Sequence, residues 1–126
     1  MAVVDYNAPQ SVQEAVALLS GSDIKTKVMA GGTDLIIQSK SQAVEPLRVV
    51  DLKHIAEMMS YSLDDGGLSL GPCMCCAEFT ALHDVETLYP GLVEAAYLIG
   101  STQVQGRASI GGNLCNSSPA ADTIPA

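Results

Sequence analysis

The spacing of apolar residues predicts helices and strands as far as Gly100 and neither beyond it. Ser11 and Glu14 stand at capping-box spacing, in which each side chain satisfies an amide near a helix start. Val12, Ala15, Val16 and Leu19 then recur at helical spacing up to Gly21, which suits the position just past a helix end. Lys27-Val28-Met29-Ala30 reads as a short strand running into Gly31-Gly32, with Thr33 placed to cap a second short helix through Leu35-Ile36-Ile37. Leu47 to Leu52 is a further strand. Tyr61-Ser62-Leu63 and Leu68-Ser69-Leu70 alternate on either side of Asp64-Asp65-Gly66-Gly67, a hairpin signal. A helix is predicted from Ala77 to Leu82. Another opens at Pro90-Gly91, carries Leu92, Ala95, Ala96 and Ile99 on one face, and closes at Gly100.

From Ser101 to Ala126 the chain is rich in Gly, Ser, Asn and other small residues and shows no helical period. From Ser109 to Ala121 the only large apolar residues are Ile110 and Leu114. Such a composition suits either a solvated loop or the lining of a polar ligand site. Two glycine pairs stand out, Ala30-Gly31-Gly32-Thr33-Asp34 and Ser109-Ile110-Gly111-Gly112-Asn113. Glycine lets a ligand approach the backbone closely, and successive amides aimed one way form a nest for an anion such as a pyrophosphate. A helix start after Thr33 would add a favourable dipole. A glycine pair before a helix is equally the mark of an ordinary strand-to-helix turn. Neither segment matches the dinucleotide G-x-G-x-x-G pattern or the phosphate-binding G-x-x-x-x-G-K-[ST] pattern.

Composition narrows the classes. Fourteen acidic against 6 basic residues give a net charge of -8, so the chain lacks the basic surface that binding to nucleic acid or an anionic membrane requires. Hydrophobic residues make up 48%, enough for a packed core, but only 4% are aromatic, so that core is aliphatic. The start, Met1 to Tyr6, has no basic segment followed by an apolar stretch, and no apolar run approaches the roughly 20 residues of a membrane helix. Three of the four cysteines crowd into Cys73-Met74-Cys75-Cys76, which cannot staple distant segments; Cys73 and Cys76 stand at C-x₂-C spacing, but no second such pair completes a zinc or iron–sulfur ligand set. A reducing, cytoplasmic setting is expected. His54 and His83 are isolated and expected at the surface. Asp64-Asp65 belongs to the hairpin turn.

The segments Ala30-Gly31-Gly32-Thr33-Asp34-Leu35 and Ala108-Ser109-Ile110-Gly111-Gly112-Asn113-Leu114-Cys115-Asn116-Ser117-Ser118-Pro119-Ala120-Ala121-Asp122-Thr123 together resemble the two FAD motifs of the molybdenum hydroxylases. The likeness is to the flavin subunit of bacterial xanthine dehydrogenases and the medium subunit of carbon monoxide dehydrogenases. Tyr6-Asn7-Ala8-Pro9, the helix from Ser11, Val50-Asp51-Leu52, Gly71-Pro72 and Tyr89-Pro90-Gly91-Leu92 follow the family's order, so the resemblance covers nearly the whole chain.

The resemblance implies an α+β, vanillyl-alcohol-oxidase (PCMH)-type FAD-binding domain. Its first subdomain would span about residues 1–55, with the start of the second over 56–126. It implies a first motif of Lys27, Val28, Met29, Ala30, Gly31, Gly32, Thr33, Asp34 and Leu35 wrapping the pyrophosphate through its amides. In the second motif Ser109, Gly111, Gly112, Asn113, Asn116 and Asp122 would lie near ribose, diphosphate or flavin. It implies partner subunits that carry molybdopterin and [2Fe-2S] clusters, with electrons passing through FAD to NAD⁺ or another acceptor. No side-chain acid, base or nucleophile of this chain is then expected to be essential. Many relatives have Arg-Asn where this chain has Gln105-Gly106, so a charged contact beside the second motif is expected to be missing. Family members continue beyond the second motif, so the chain is expected to be an N-terminal fragment that holds FAD weakly by itself. Two other readings stay open, a non-redox nucleotide-binding module on the same loops and an inert fragment that works only with partner chains. A flavin band bleached by NADH would mark the first reading, and binding of an adenine nucleotide without flavin the second.

Overall fold

In a computed structural model, residues 4–21, 23–41 and 47–126 are described. The sequence reading of Met1 to Val3 lies outside them. Strand β1 (Val4–Asn7), helix α1 (Val12–Ser20), β2 (Lys25–Met29), α2 (Leu35–Ser41) and β3 (Leu47–Asp51) alternate along the chain. The three strands form a parallel sheet in the order β1-β3-β2. β3 is the central strand and is buried along almost its whole length, as the apolar run Leu-Arg-Val-Val predicts for a parallel strand covered on both faces. Its side chains alternate between faces. Val50 joins Ala15 of α1 and Ile55, whereas Leu47 and Val49 join Met29 and pack against Leu35 of α2.

Two 3₁₀ turns, Leu52–His54 and Ala56–Met58, lead to an antiparallel hairpin of β4 (Tyr61–Asp64) and β5 (Gly67–Leu70). The Gly66 amide donates to the Asp64 carboxylate at 2.8 Å, the local bond that makes an Asp-led turn. Then come α3 (Cys76–Phe79), α4 (His83–Leu88), α5 (Pro90–Tyr97), α6 (Thr102–Gln105) and α7 (Ile110–Asn116). These helices share a second core of Phe79, Val85, Val93, Ala96, Ile99 and their neighbours, against which the hairpin leucines 63, 68 and 70 pack. Among the described residues no helix is long and apolar enough to cross a membrane.

The structure departs from the sequence reading in several places. Helix α1 buries Val12, Ala15 and Leu18, while Val16 and Leu19 face solvent. The sheet selects a stripe centred on a small alanine, and two apolar residues are left outside it. The capping box is present. Ser11 Oγ accepts from the Glu14 amide at 3.2 Å, and the Glu14 carboxylate accepts from the amide of Gln10, one residue before the cap. β2 begins at Lys25 and ends before Ala30, and Leu52 already belongs to the 3₁₀ turn. The helix expected over Ala77 to Leu82 is a single turn, because Leu82 is extended (φ -83, ψ 99) and starts α4 instead. The largest correction concerns residues 101–126, which contain α6 and α7. Each is started by a serine hydroxyl, Ser101 accepting from the Val104 amide and Ser109 from the Gly112 amide. Helices this short have little stability of their own and are held by tertiary contacts, which no period reveals; α7 also carries two glycines.

Candidate functional site

The site forms where β2 hands over to α2. The turn needs a left-handed residue, and Gly32 supplies it with φ +79, a conformation costly for any residue with a Cβ. Its carbonyl accepts from the Ile36 amide at 3.1 Å, and the Asp34 carbonyl from the Gln38 amide at 2.9 Å, so helical bonding begins at once. No hydrogen bond within the chain engages the amides of Gly31, Gly32, Thr33 or Asp34 among the described residues.

The second glycine motif lies directly against this turn. A Cβ on Gly31 would stand 1.9 Å from the Arg107 carbonyl oxygen, so the two backbones touch. A Cβ on Gly112 would stand 3.4 Å from the Ala30 side chain. The motif is anchored from behind, where the Cys76 amide donates to the Ala108 carbonyl at 2.7 Å and Cys75 bridges Ser109. Gly111 packs on this other side, since its Cβ would meet Pro72 at 2.4 Å. Ser109 is buried, and its hydroxyl is occupied by the Gly112 amide at 3.0 Å. Asn113 Oδ1 accepts from both the amide and the hydroxyl of Thr123, which ties the last described segment to α7. A long contact of 3.5 Å from Gln38 Nε2 to Asn116 Oδ1 joins α2 to α7.

Of the residues singled out from sequence, Ala30, Gly31, Ser109 and Gly112 are therefore brought together around one junction. Met29 is buried in the sheet core and Leu35 packs against it, so these two support the turn from inside. Lys27 and Thr33 are half-buried, while Val28, Asp34, Asn116 and Asp122 are exposed. Gly111 faces away from the first turn and serves packing.

Sequence reasoning missed the group that holds the first turn. Lys53 Nζ donates to the Ala30 carbonyl at 2.6 Å and to Asp51 Oδ1 at 2.6 Å. Asp51 is only 3% exposed and also accepts from the Lys53 amide at 3.1 Å and the Tyr6 hydroxyl at 2.6 Å. Burial pushes the Asp51 carboxyl up, but the hydrogen bonds from Lys53 and Tyr6 outweigh it and hold the group below the usual carboxylate value. The bond to Asp51 raises the Tyr6 phenol in turn, with burial adding to it and the nearby Arg107 acting the other way. One signal was available. An aspartate closing an apolar strand that both faces cover must find partners, since unpaired carboxylates are almost never buried.

Two of the thiols, Cys73 and Cys76, are withdrawn from chemistry beside this junction. Burial pushes Cys73 up and Cys76 to about 11, so both sit in the core as neutral small groups. Among the described residues no group of three or more His, Cys, Asp or Glu could hold a metal ion. What the junction holds is a set of backbone amides without an intrachain partner at a glycine turn, those of Gly31 and Gly32 in buried residues, closed on one side by a second glycine segment. That suits the oxygens of a diphosphate, and a side chain at Gly31 would close the junction.

Residues 2–126 match the family described as "FAD binding domain in molybdopterin dehydrogenase". The carbon monoxide dehydrogenase medium chain of Hydrogenophaga pseudoflava is 32% identical over 118 residues, 94% of this chain and 41% of that protein. The xanthine dehydrogenase FAD-binding subunit of Escherichia coli O157:H7 is 29% identical over 94% of this chain and 40% of its own length. A solved structure of the Hydrogenophaga pseudoflava carbon monoxide dehydrogenase, lacking the Mo-pyranopterin moiety of its molybdenum cofactor, superposes with a TM-score of 0.86 at 32% identity. It covers 93% of this chain and 41% of that one. The chain thus spans about two fifths of the length of the relatives it matches.

Proposed function

Since the chain belongs to the family of FAD binding domains in molybdopterin dehydrogenases, we propose that it forms the diphosphate end of an FAD site in a molybdenum-dependent hydroxylase or dehydrogenase. The observation that carries this reading is the contact of the two glycine segments, Gly31 on the Arg107 carbonyl and Gly112 on Ala30, beside the unengaged amides of residues 31–34. Amides rather than lysines would neutralise the diphosphate, which suits a chain of net charge -8. The relatives' names support flavin and dehydrogenase chemistry.

In this reading the amides of Gly31 to Asp34 bind the diphosphate. The exposed Asn116 and Asp122 and the half-buried Asn113 and Thr33 lie within reach of ribose or flavin. Ser109, Gly111, Met29 and Leu35 act by shaping the walls. Residues 1–55 would form one subdomain and 56–126 the beginning of a second. FAD, when bound, accepts electrons and releases them as a hydride. The electrons would come from [2Fe-2S] clusters in one partner subunit, supplied by a molybdenum-cofactor subunit, and would leave to NAD⁺ or another acceptor. A reducing, cytoplasmic compartment fits the free thiols. The chain's own task is to bind and orient, with no proton transfer assigned to it.

The test is a fluorescence titration with FAD, FMN and ADP in parallel. A site built around a diphosphate should favour FAD over FMN by at least about tenfold, the effect of one charge-assisted hydrogen bond. Equal affinity for FAD and FMN would count against the reading. Tight ADP binding with no flavin binding would favour a non-redox nucleotide module instead.

A further inference from the structure

We propose that Lys53 is a positioning residue for the FAD diphosphate: paired with Asp51, it holds the Ala30 carbonyl so that the neighbouring glycine amides stay free for the ligand. The proposal rests on the FAD reading above and names the side chain that shapes that site. The parallel register sets Met29 beside Asp51, so Ala30 and the 3₁₀ turn that starts at Leu52 leave the sheet side by side. Lys53 crosses between them. Asp51 fixes it twice, through its amide at 3.1 Å and its ammonium at 2.6 Å, and the same ammonium reaches the Ala30 carbonyl at 2.6 Å. Tyr6 completes the carboxylate's shell with a bond of 2.6 Å from the opposite edge strand.

The consequence follows from peptide geometry. All peptide bonds described are trans, so the Ala30 carbonyl and the Gly31 N–H point in opposite directions. Drawing the carbonyl toward Lys53 turns the Gly31 N–H away from it. A released Ala30–Gly31 peptide could rotate, because glycine on one side imposes little barrier, and would then offer a carbonyl oxygen where an anion needs an amide. An ion pair needed only for stability would be complete with Asp51 and Lys53. The third bond, to a main-chain carbonyl one residue before the glycine pair, is what links it to the site.

Lys53→Met, Lys53→Arg and the double variant Asp51→Asn/Lys53→Met in the full-length protein test this. FAD affinity is read by flavin fluorescence and the diphosphate environment by ³¹P NMR of bound FAD. Lys53→Met should weaken FAD by about tenfold, the effect of a lost hydrogen bond to a charged group, and should displace the ³¹P resonances. Lys53→Arg, which keeps two donors on a cation, should restore both. The double variant removes the buried charge together with its partner, so it keeps the test readable should Lys53→Met fail to fold, and it should show the same loss. Wild-type FAD affinity and unmoved ³¹P shifts in either Met-bearing variant would overturn the proposal while leaving the FAD site standing. A wild-type protein that binds no FAD would instead sink the site itself, and the proposal with it.

Discussion

The two glycine segments that meet at the candidate site are fixed by opposite means. The first, Ala30 to Asp34, is held by side chains: an ammonium donates to the Ala30 carbonyl and to a buried carboxylate, which a phenol donates to in turn. The second, Ser109 to Asn113, is held by main chain and shape: a serine cap, a backbone bond from Cys76 to Ala108, and Gly111 seated on Pro72. The first arrangement depends on charge and so on pH, whereas the second depends on uncharged hydrogen bonds and on the lack of a side chain at its glycines. Where the segments touch, at Gly31 and Arg107, only sterics operate.

That contact should give the largest effect. Gly31→Ala places a Cβ 1.9 Å from a backbone oxygen, so one segment must move. A cost of about 3 kcal/mol is expected, at the upper end for overpacking because the obstructing atom is main chain. Urea denaturation measures it, and a loss under about 1 kcal/mol would mean that the segments are not in contact.

Removing the buried charge comes next. Asp51→Ala leaves the Lys53 ammonium without its carboxylate and should cost about 3 kcal/mol or somewhat less, because Lys53 is partly solvated. The pH profile identifies the cause. The folded Asp51 carboxyl lies below the ordinary value for an aspartate. Its contribution is therefore full above the unfolded value and is lost as pH falls through the lower folded value. Wild type and variant should differ most near neutrality and converge as pH falls below the ordinary carboxylate range. A difference that does not begin to shrink as pH falls through that range would show that shape, not charge, holds the first turn. The smallest effect is expected for Ser109→Ala, which removes the cap of α7 at a cost of about 1 kcal/mol with no pH dependence over the same range. An acid-dependent loss there would erase the contrast between the two segments.

How much of this was legible in the sequence depends on how local the determining contacts are. The capping box at Ser11 and Glu14 and the Asp64 turn announced themselves because each is closed by a bond within four residues. Helix α5 was readable from Pro90 and the stripe of Leu92, Ala95 and Ala96, although it ends at Tyr97, short of Ile99 and Gly100 where the sequence placed its close. Helix α7 was not, since two of its seven residues are glycine and its anchors, Cys76 and Pro72, lie far away in sequence. The exposed face of α1 misled for the same reason, because Val16 and Leu19 are as apolar as the residues the sheet covers. The glycine motifs were visible one at a time. Their contact was not, and neither was Lys53, because a lysine after a strand reads as a solvated charge until the register sets it beside Ala30.

The strand order also governs how the chain can assemble. β1 and β2 do not pair with each other; both pair with β3, which comes last of the three. A ribosome adding roughly 5–20 residues per second needs a few seconds to go from the end of β1 to the end of β3. Through that interval two strand segments wait with every sheet hydrogen bond unmade. When β3 emerges it pairs on both sides, and the same few residues bring in Asp51 and Lys53. The sheet and the clamp on the first glycine turn therefore wait on the same stretch of chain, Leu47 to Lys53.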